Sequence, residues 1–130
     1  MALIEFHLDS RSGVPTYLQL VQQVRHAVQL GILGPGDQLP TVKEVVASLA
    51  INPNTVLKAY AALESEGIAA GRRGQGTFVL SSAPSPLGDD FAKLRRSLRQ
   101  WFEQARASGL DEPAIDALLS EQRGSAERAA

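Results

Sequence analysis

The chain contains no cysteine in its 130 residues. That excludes a disulfide framework, a thiolate zinc site and a cysteine nucleophile. It holds two histidines, His7 and His26, whose spacing matches no metal-ligand pattern, so neither a metal nor a cofactor is expected. No apolar run approaches the roughly 18 residues of a membrane span, and the first residues lack the basic-then-apolar order of a signal peptide. A cytoplasmic location without membrane contact is therefore expected. Charge of one sign is also missing. Thirteen Lys and Arg stand against fourteen Asp and Glu, for a net charge of −1, without the basic excess of many nucleic-acid binders.

What remains is ordinary globular material, 44% apolar and 21% charged. The length fits one domain with a short appendage, and at this size about two thirds of the unfolded chain's surface can be buried. The charge is neutral on average but not in distribution. Residues 91–109 carry Lys93, Arg95, Arg96, Arg99 and Arg106 against Glu103, whereas residues 110–130 carry five acids against Arg123 and Arg128. Net charge thus decides nothing, and the order of elements must.

Pro15 and Thr16 introduce an apolar stripe of Tyr17, Leu20, Val21, Val24 and Val28, which predicts a helix closed by Gly31. Gly34-Pro35-Gly36-Asp37 reads as a turn. Thr41-Val42-Lys43-Glu44 predicts a capping box opening a second, short helix, with Val42, Val45, Val46 and Leu49 on its buried face. After Ala50-Ile51, Asn52-Pro53 supplies a favoured N-cap and first helical residue. The third helix runs to about Glu66, with Gly67 past its end. Val56, Ala59, Tyr60 and Leu63 face inward, leaving Asn54, Thr55 and Lys58 on the opposite face. Two short runs around Arg72-Arg73-Gly74-Gln75-Gly76 predict a hairpin with a basic tip.

Two short helices across a tight turn, followed by a basic hairpin, describe a winged helix-turn-helix. The fold class is therefore mainly α with a small β-hairpin, over residues 1–80. In such proteins the second helix enters the major groove and its first turn reaches base edges. Asn can pair with adenine, and a Thr methyl can pack on a thymine methyl. Double-stranded DNA is the expected partner. The candidate contacts read this way are Asn52, Asn54, Thr55 and Lys58 at the start of that helix, and Arg72 and Arg73 flanking the glycine tip of the wing.

Residues 81–86 read as a linker. Beyond it Phe91, Leu94, Leu98, Trp101 and Ala105 recur at alternating spacings of three and four, a seam for a partner helix. Gly109 ends this helix, and Asp111 precedes a last short one bearing Ile115, Leu118 and Leu119. A two-helix hairpin has one inner face, too little to cover that seam. Residues 87–123 are accordingly expected to form a homodimer interface, with Phe102 taking part, and residues 124–130 a disordered tail.

Leu39-Pro40-Thr41-Val42-Lys43-Glu44, Ile51-Asn52-Pro53-Asn54-Thr55-Val56, Lys58-Ala59-Tyr60, Glu66-Gly67-Ile68 and Gly74-Gln75-Gly76-Thr77-Phe78-Val79 together resemble the GntR family of bacterial transcriptional regulators. The Asn-Pro-Asn-Thr run and the short C-terminal region resemble its YtrA branch. The resemblance covers residues 6–80. It implies a homodimer on a pseudo-palindromic operator near its own gene, usually repressing, with transporter genes as common neighbours. Carried over position by position, the resemblance adds Thr41, Lys43, Gly74, Gln75, Gly76 and Thr77 to the expected DNA contacts. Lys43 stands where the family usually has arginine, so the planar bidentate fork is lost there. Pro53 replaces the arginine that follows the N-cap in other branches, and Leu57 stands where many relatives have a basic residue. About 44 residues after the wing leave no room for an enclosed effector pocket, and no effector is assigned.

Blander readings accompany these. His26 reads as a surface or packing histidine, and Asp89-Asp90 as first-turn acids of a helix. The glycines of residues 71–76 lack the Lys-Ser/Thr and helix of a phosphate loop. The basic stretch at 91–109 reads as a solvated helix face. Trp101 and Phe102 leave room for a small-ligand shelf. A winged helix serving as a protein-interaction module is the alternative function. An enzyme is disfavoured for want of a nucleophile–base pair.

Overall fold

The structure, a computed structural model, describes residues 4–80 and 89–129. The expected linker at 81–86 lies outside the described residues. The chain divides between Leu87 and Gly88 into two compact units.

In the first unit, α1 (Thr16–Gln29), α2 (Val42–Leu49) and α3 (Pro53–Ser65) precede the antiparallel hairpin of β1 (Ala69–Arg72) and β2 (Gly76–Val79). The stripe read on α1 is the buried one: Leu20, Val21, Val24 and Val28 are enclosed with Ala27. Val45 is buried on α2, and Val42, Val46 and Leu49 pack half-buried against the same core. Val56, Ala59, Tyr60 and Leu63 of α3 complete it with Leu33, Leu39, Ile68 and Val79. Strand register pairs Ala69 with Val79 and Arg72 with Gly76.

A segment without regular structure is also part of this core. Phe6 is buried, and the chain around it is clamped to α1 by two glutamines one turn apart. The Gln23 side-chain amide accepts from His7 N at 3.0 Å and donates to His7 O at 2.6 Å. Gln19 does the same with Asp9, at 2.8 and 3.0 Å, and also donates to Val14 O at 2.9 Å. Gln19 is buried, and these bonds satisfy it.

The second unit holds two helices, α4 (Asp89–Ala107) and α5 (Glu112–Ala129), joined by a short turn. Gly109, at φ +96°, makes the turn, and Asp111 Oδ1 caps α5 by accepting from Ala114 N at 2.9 Å. The last helix is not short, and the expected disordered tail is largely helical. α5 continues through Gly124 to Ala129. One interior glycine costs a helix only about 1 kcal/mol, and Ala126, Glu127, Arg128 and Ala129 that follow are residues of good helix propensity. Among the described residues, no helix is long and apolar enough to cross a membrane.

Candidate nucleic-acid interface

The geometry of the first unit centres on the junction of α2 and α3. Thr41 Oγ1 accepts from Glu44 N at 3.1 Å, which is half of the expected capping box. The other half differs: Glu44 Oε1 receives the Thr41 hydroxyl, also at 3.1 Å. Both hydrogen-bonding directions of the Thr41 hydroxyl are thus engaged within the helix start. The chain leaves α2 through Ala50 in the left-handed region, at φ 54°. A non-glycine residue there costs roughly 1 kcal/mol, and the tight turn it makes sets α3 against α2. Asn52 Oδ1 then accepts from Asn54 N at 2.8 Å, so the side chain expected to read adenine is holding the helix cap.

Tyr60 fixes α3 from below, its buried hydroxyl donating to Pro40 O at 2.5 Å. Burial, and then the charge of Glu44, raise its pKa well above the ordinary value of 10.0. At the far end, the Arg25 guanidinium bonds Glu66 at 2.6 Å.

With its inner face packed, α3 presents Asn54, Leu57 and Lys58 as exposed residues, and Thr55 half-buried. Leu57 remains 53% exposed. The Lys58 ammonium lies over the Tyr17 ring of α1, 4.1 Å from its centroid, an attraction between cation and ring quadrupole. Lys43 is exposed on the first turn of α2.

The wing is braced from two directions. Glu64 Oε1 accepts from Gly71 N at 2.6 Å, tying α3 to β1. The chain before α2 lies along β2: Leu39 N donates to Thr77 O at 2.8 Å and Val79 N to Asp37 O at 2.9 Å. Gln38 Nε2 donates to Gln75 O at 3.1 Å, holding the tip. At Gly76, φ is +122°, a backbone region that strains any residue with a Cβ, which favours glycine there. Arg72, Arg73, Gly74 and Gln75 are exposed at the tip, while Gly76 and Thr77 are half-buried in the ladder. The Arg72 guanidinium stacks 4.5 Å from the Phe78 centroid. The bonds of Gln38 and Glu64, which span 37 and 7 residues, carry no local motif, so the sequence does not reveal them.

In the second unit, Ala105 and Ile115 are buried within the helix pair. Phe91, Trp101, Phe102 and Leu119 are half-buried, with the Trp101 and Phe102 rings edge to face at 5.3 Å. Leu94, Leu98 and Leu118 stay 69%, 51% and 38% exposed. The expected seam therefore separates: its C-terminal members close the helix pair, and its N-terminal leucines face solvent. A shallow cavity of about 210 Å³ is bordered by Trp101, Gln104, Ala105, Ser108, Leu110 and Leu118. No group of acids and histidines suited to a metal occurs among the described residues.

Comparison with known proteins gives a consistent result. The family described as "Bacterial regulatory proteins, gntR family" matches residues 16–79. The chain is 38% identical over 105 residues to the HTH-type transcriptional repressor YtrA of Bacillus subtilis (strain 168), spanning 80% of this chain and 81% of that one. YtrA from Sulfolobus acidocaldarius, a GntR-family transcription factor, is similar in structure with a TM-score of 0.56. Its identity is 30%, over 78% of this chain and 97% of that chain. The AraR DNA-binding domain in complex with operator ORX1 gives a TM-score of 0.51 at 25% identity, over 58% of this chain and 95% of that chain. These relatives are transcriptional regulators rather than enzymes. With its helix-turn-helix and wing in this order, the chain belongs to the GntR family and is a sequence-specific DNA-binding transcriptional regulator.

Proposed function

We propose that the protein is a homodimeric repressor acting on a two-fold symmetric operator, and that it controls its own operon together with transporter genes. The observation that carries the dimer is the pair Leu94 and Leu98, one turn apart on α4 and both largely exposed. Apolar side chains in this arrangement are covered when a second copy packs against them. A dimer of winged helices presents two recognition helices to half-sites one duplex turn apart, which calls for a palindrome. The name of the Bacillus subtilis relative supports repression.

Within each half-site, Asn54 and Thr55 read base edges from the first turn of α3, with Lys43 beside them. Lys58, Arg72 and Arg73 contact phosphates and set the register. The backbone of Gly74, Gln75, Gly76 and Thr77 brings the wing close to the duplex. Thr41 and Asn52 contribute by holding the helix starts that carry the readers. A small-molecule effector is not assigned.

The test is selection of bound fragments from the source genome at two salt concentrations. A two-fold symmetric site, lost steeply as salt rises, is expected, because neutralised phosphates release counterions. Enrichment of asymmetric sites would contradict the dimer. No enrichment at low salt would contradict operator binding by the unliganded protein.

A further inference from the structure

We infer that Leu57 is a specificity-determining residue of α3 that reads the 5-methyl group of a thymine in the major groove. The inference rests on the DNA-reading role proposed above for α3.

Four positions of α3 are buried, and the helix turns its other face to solvent. On that face Asn54, Leu57 and Ala61 follow at spacings of three and four, which places them in one row. All three are exposed. Glu64, three residues further on and exposed, continues the row but is engaged by Gly71 N, and Leu57 is the row's largest apolar member. Lys58, the cation next to it, is rotated by about 100° on the helix and lies over the Tyr17 ring on α1. Asn54 and Ala61 thus stand nearest the middle of the exposed face with Lys58 beside them, and Leu57 is the large apolar side chain on its flank.

That surface has a definite complement in duplex DNA. Phosphates and most base edges offer only hydrogen-bonding atoms, which leucine cannot engage. The thymine methyl is the apolar feature of the major groove. Asn54, three residues before Leu57, can pair with an adenine while Leu57 packs on the methyl of a neighbouring thymine. The ligand class is thus an A/T-containing step in each half-site, read by one hydrogen-bonding and one apolar contact. Leucine projects farther from the helix than Thr55, whose half-buried methyl is the competing candidate.

The experiment replaces each thymine of the selected operator with deoxyuridine, which removes the methyl and leaves base pairing intact. Wild-type protein should lose about fourfold in affinity at one thymine per half-site, the change given by exposing one buried methyl-sized group. Leu57→Ala should bind the thymine operator more weakly and bind thymine and deoxyuridine operators equally. Its unfolding midpoint should match wild type, because Leu57 packs largely against solvent. Discrimination that persists in Leu57→Ala would overturn the inference and pass the methyl to Thr55. Tight operator binding with no sensitive thymine would also overturn it, while leaving the regulator reading standing. Failure to bind any operator would remove both.

Discussion

Residues 4–80 and 89–129 treat their apolar side chains in opposite ways. The winged unit encloses most of them, from Phe6 through Val79, around a single core, and leaves Leu8, Ile32 and Leu57 exposed. The helical unit encloses Ala105 and Ile115 and leaves Leu94, Leu98 and Leu118 in water. Three helices and a hairpin have enough facing surfaces to close a core, and a two-helix pair does not. A closed unit can offer polar side chains to a partner such as DNA without losing its fold. An open unit gains stability when its exposed face is covered. The division of labour proposed here follows from that contrast, with reading in the first unit and pairing in the second.

The contrast can be broken most decisively in the core. Leu63 is fully enclosed, so Leu63→Ala should cost the winged unit about 2–5 kcal/mol, measured by urea unfolding. A loss below this range would mean that the core is less closed than its burial implies. At the reading face, Asn54→Ala should cost about 1–3 kcal/mol of discrimination at one operator position, seen by binding to a panel of single-base variants. Uniform loss on all sequences would assign Asn54 to the backbone instead.

Removing the hydroxyl in Tyr60→Phe leaves the Pro40 carbonyl without its partner, a cost of about 1–2 kcal/mol. The same residue gives a pH signature. Its folded-state pKa lies above the unfolded value of 10.0. Its contribution is therefore complete below pH 10 and is lost as pH rises towards the folded-state value. Wild-type unfolding midpoints should fall above pH 10 more steeply than those of Tyr60→Phe. The smallest effect sharpens the comparison from the other side. In dilute monomer, Leu94→Ala should change stability by less than about 0.5 kcal/mol, because that side chain is mostly in water already. A loss as large as that of Leu63→Ala would erase the distinction between the units.

The elements legible in the sequence were those specified locally. Thr41, Asn52-Pro53 and Gly67 mark helix ends through bonds that span two to four residues, and each helix begins or stops where these residues place it. The face of α3 was legible because a helix has a fixed period. Interactions between distant positions were not. Gln19 and Gln23 hold a segment ten to sixteen residues away through backbone atoms, which every sequence possesses. The wing tip depends in the same way on Gln38, 37 residues before its acceptor. Competition also escaped the sequence reading. Asn52 and Lys58 are polar, exposed residues on the reading helix, yet one caps that helix and the other lies on Tyr17. The expected disordered tail from Gly124 is helical to Ala129 in α5, because a lone glycine among helix-forming neighbours does not end a helix.

The most direct test of paired reading is the mass of the protein–operator complex by sedimentation, for wild type and for Leu94→Glu combined with Leu98→Glu. Two chains per symmetric site are expected for wild type. The double variant should be monomeric and bind the operator weakly, with the unfolding of its winged unit unchanged. One wild-type chain per site, or a double variant that still pairs, would contradict a dimer held through the exposed face of α4.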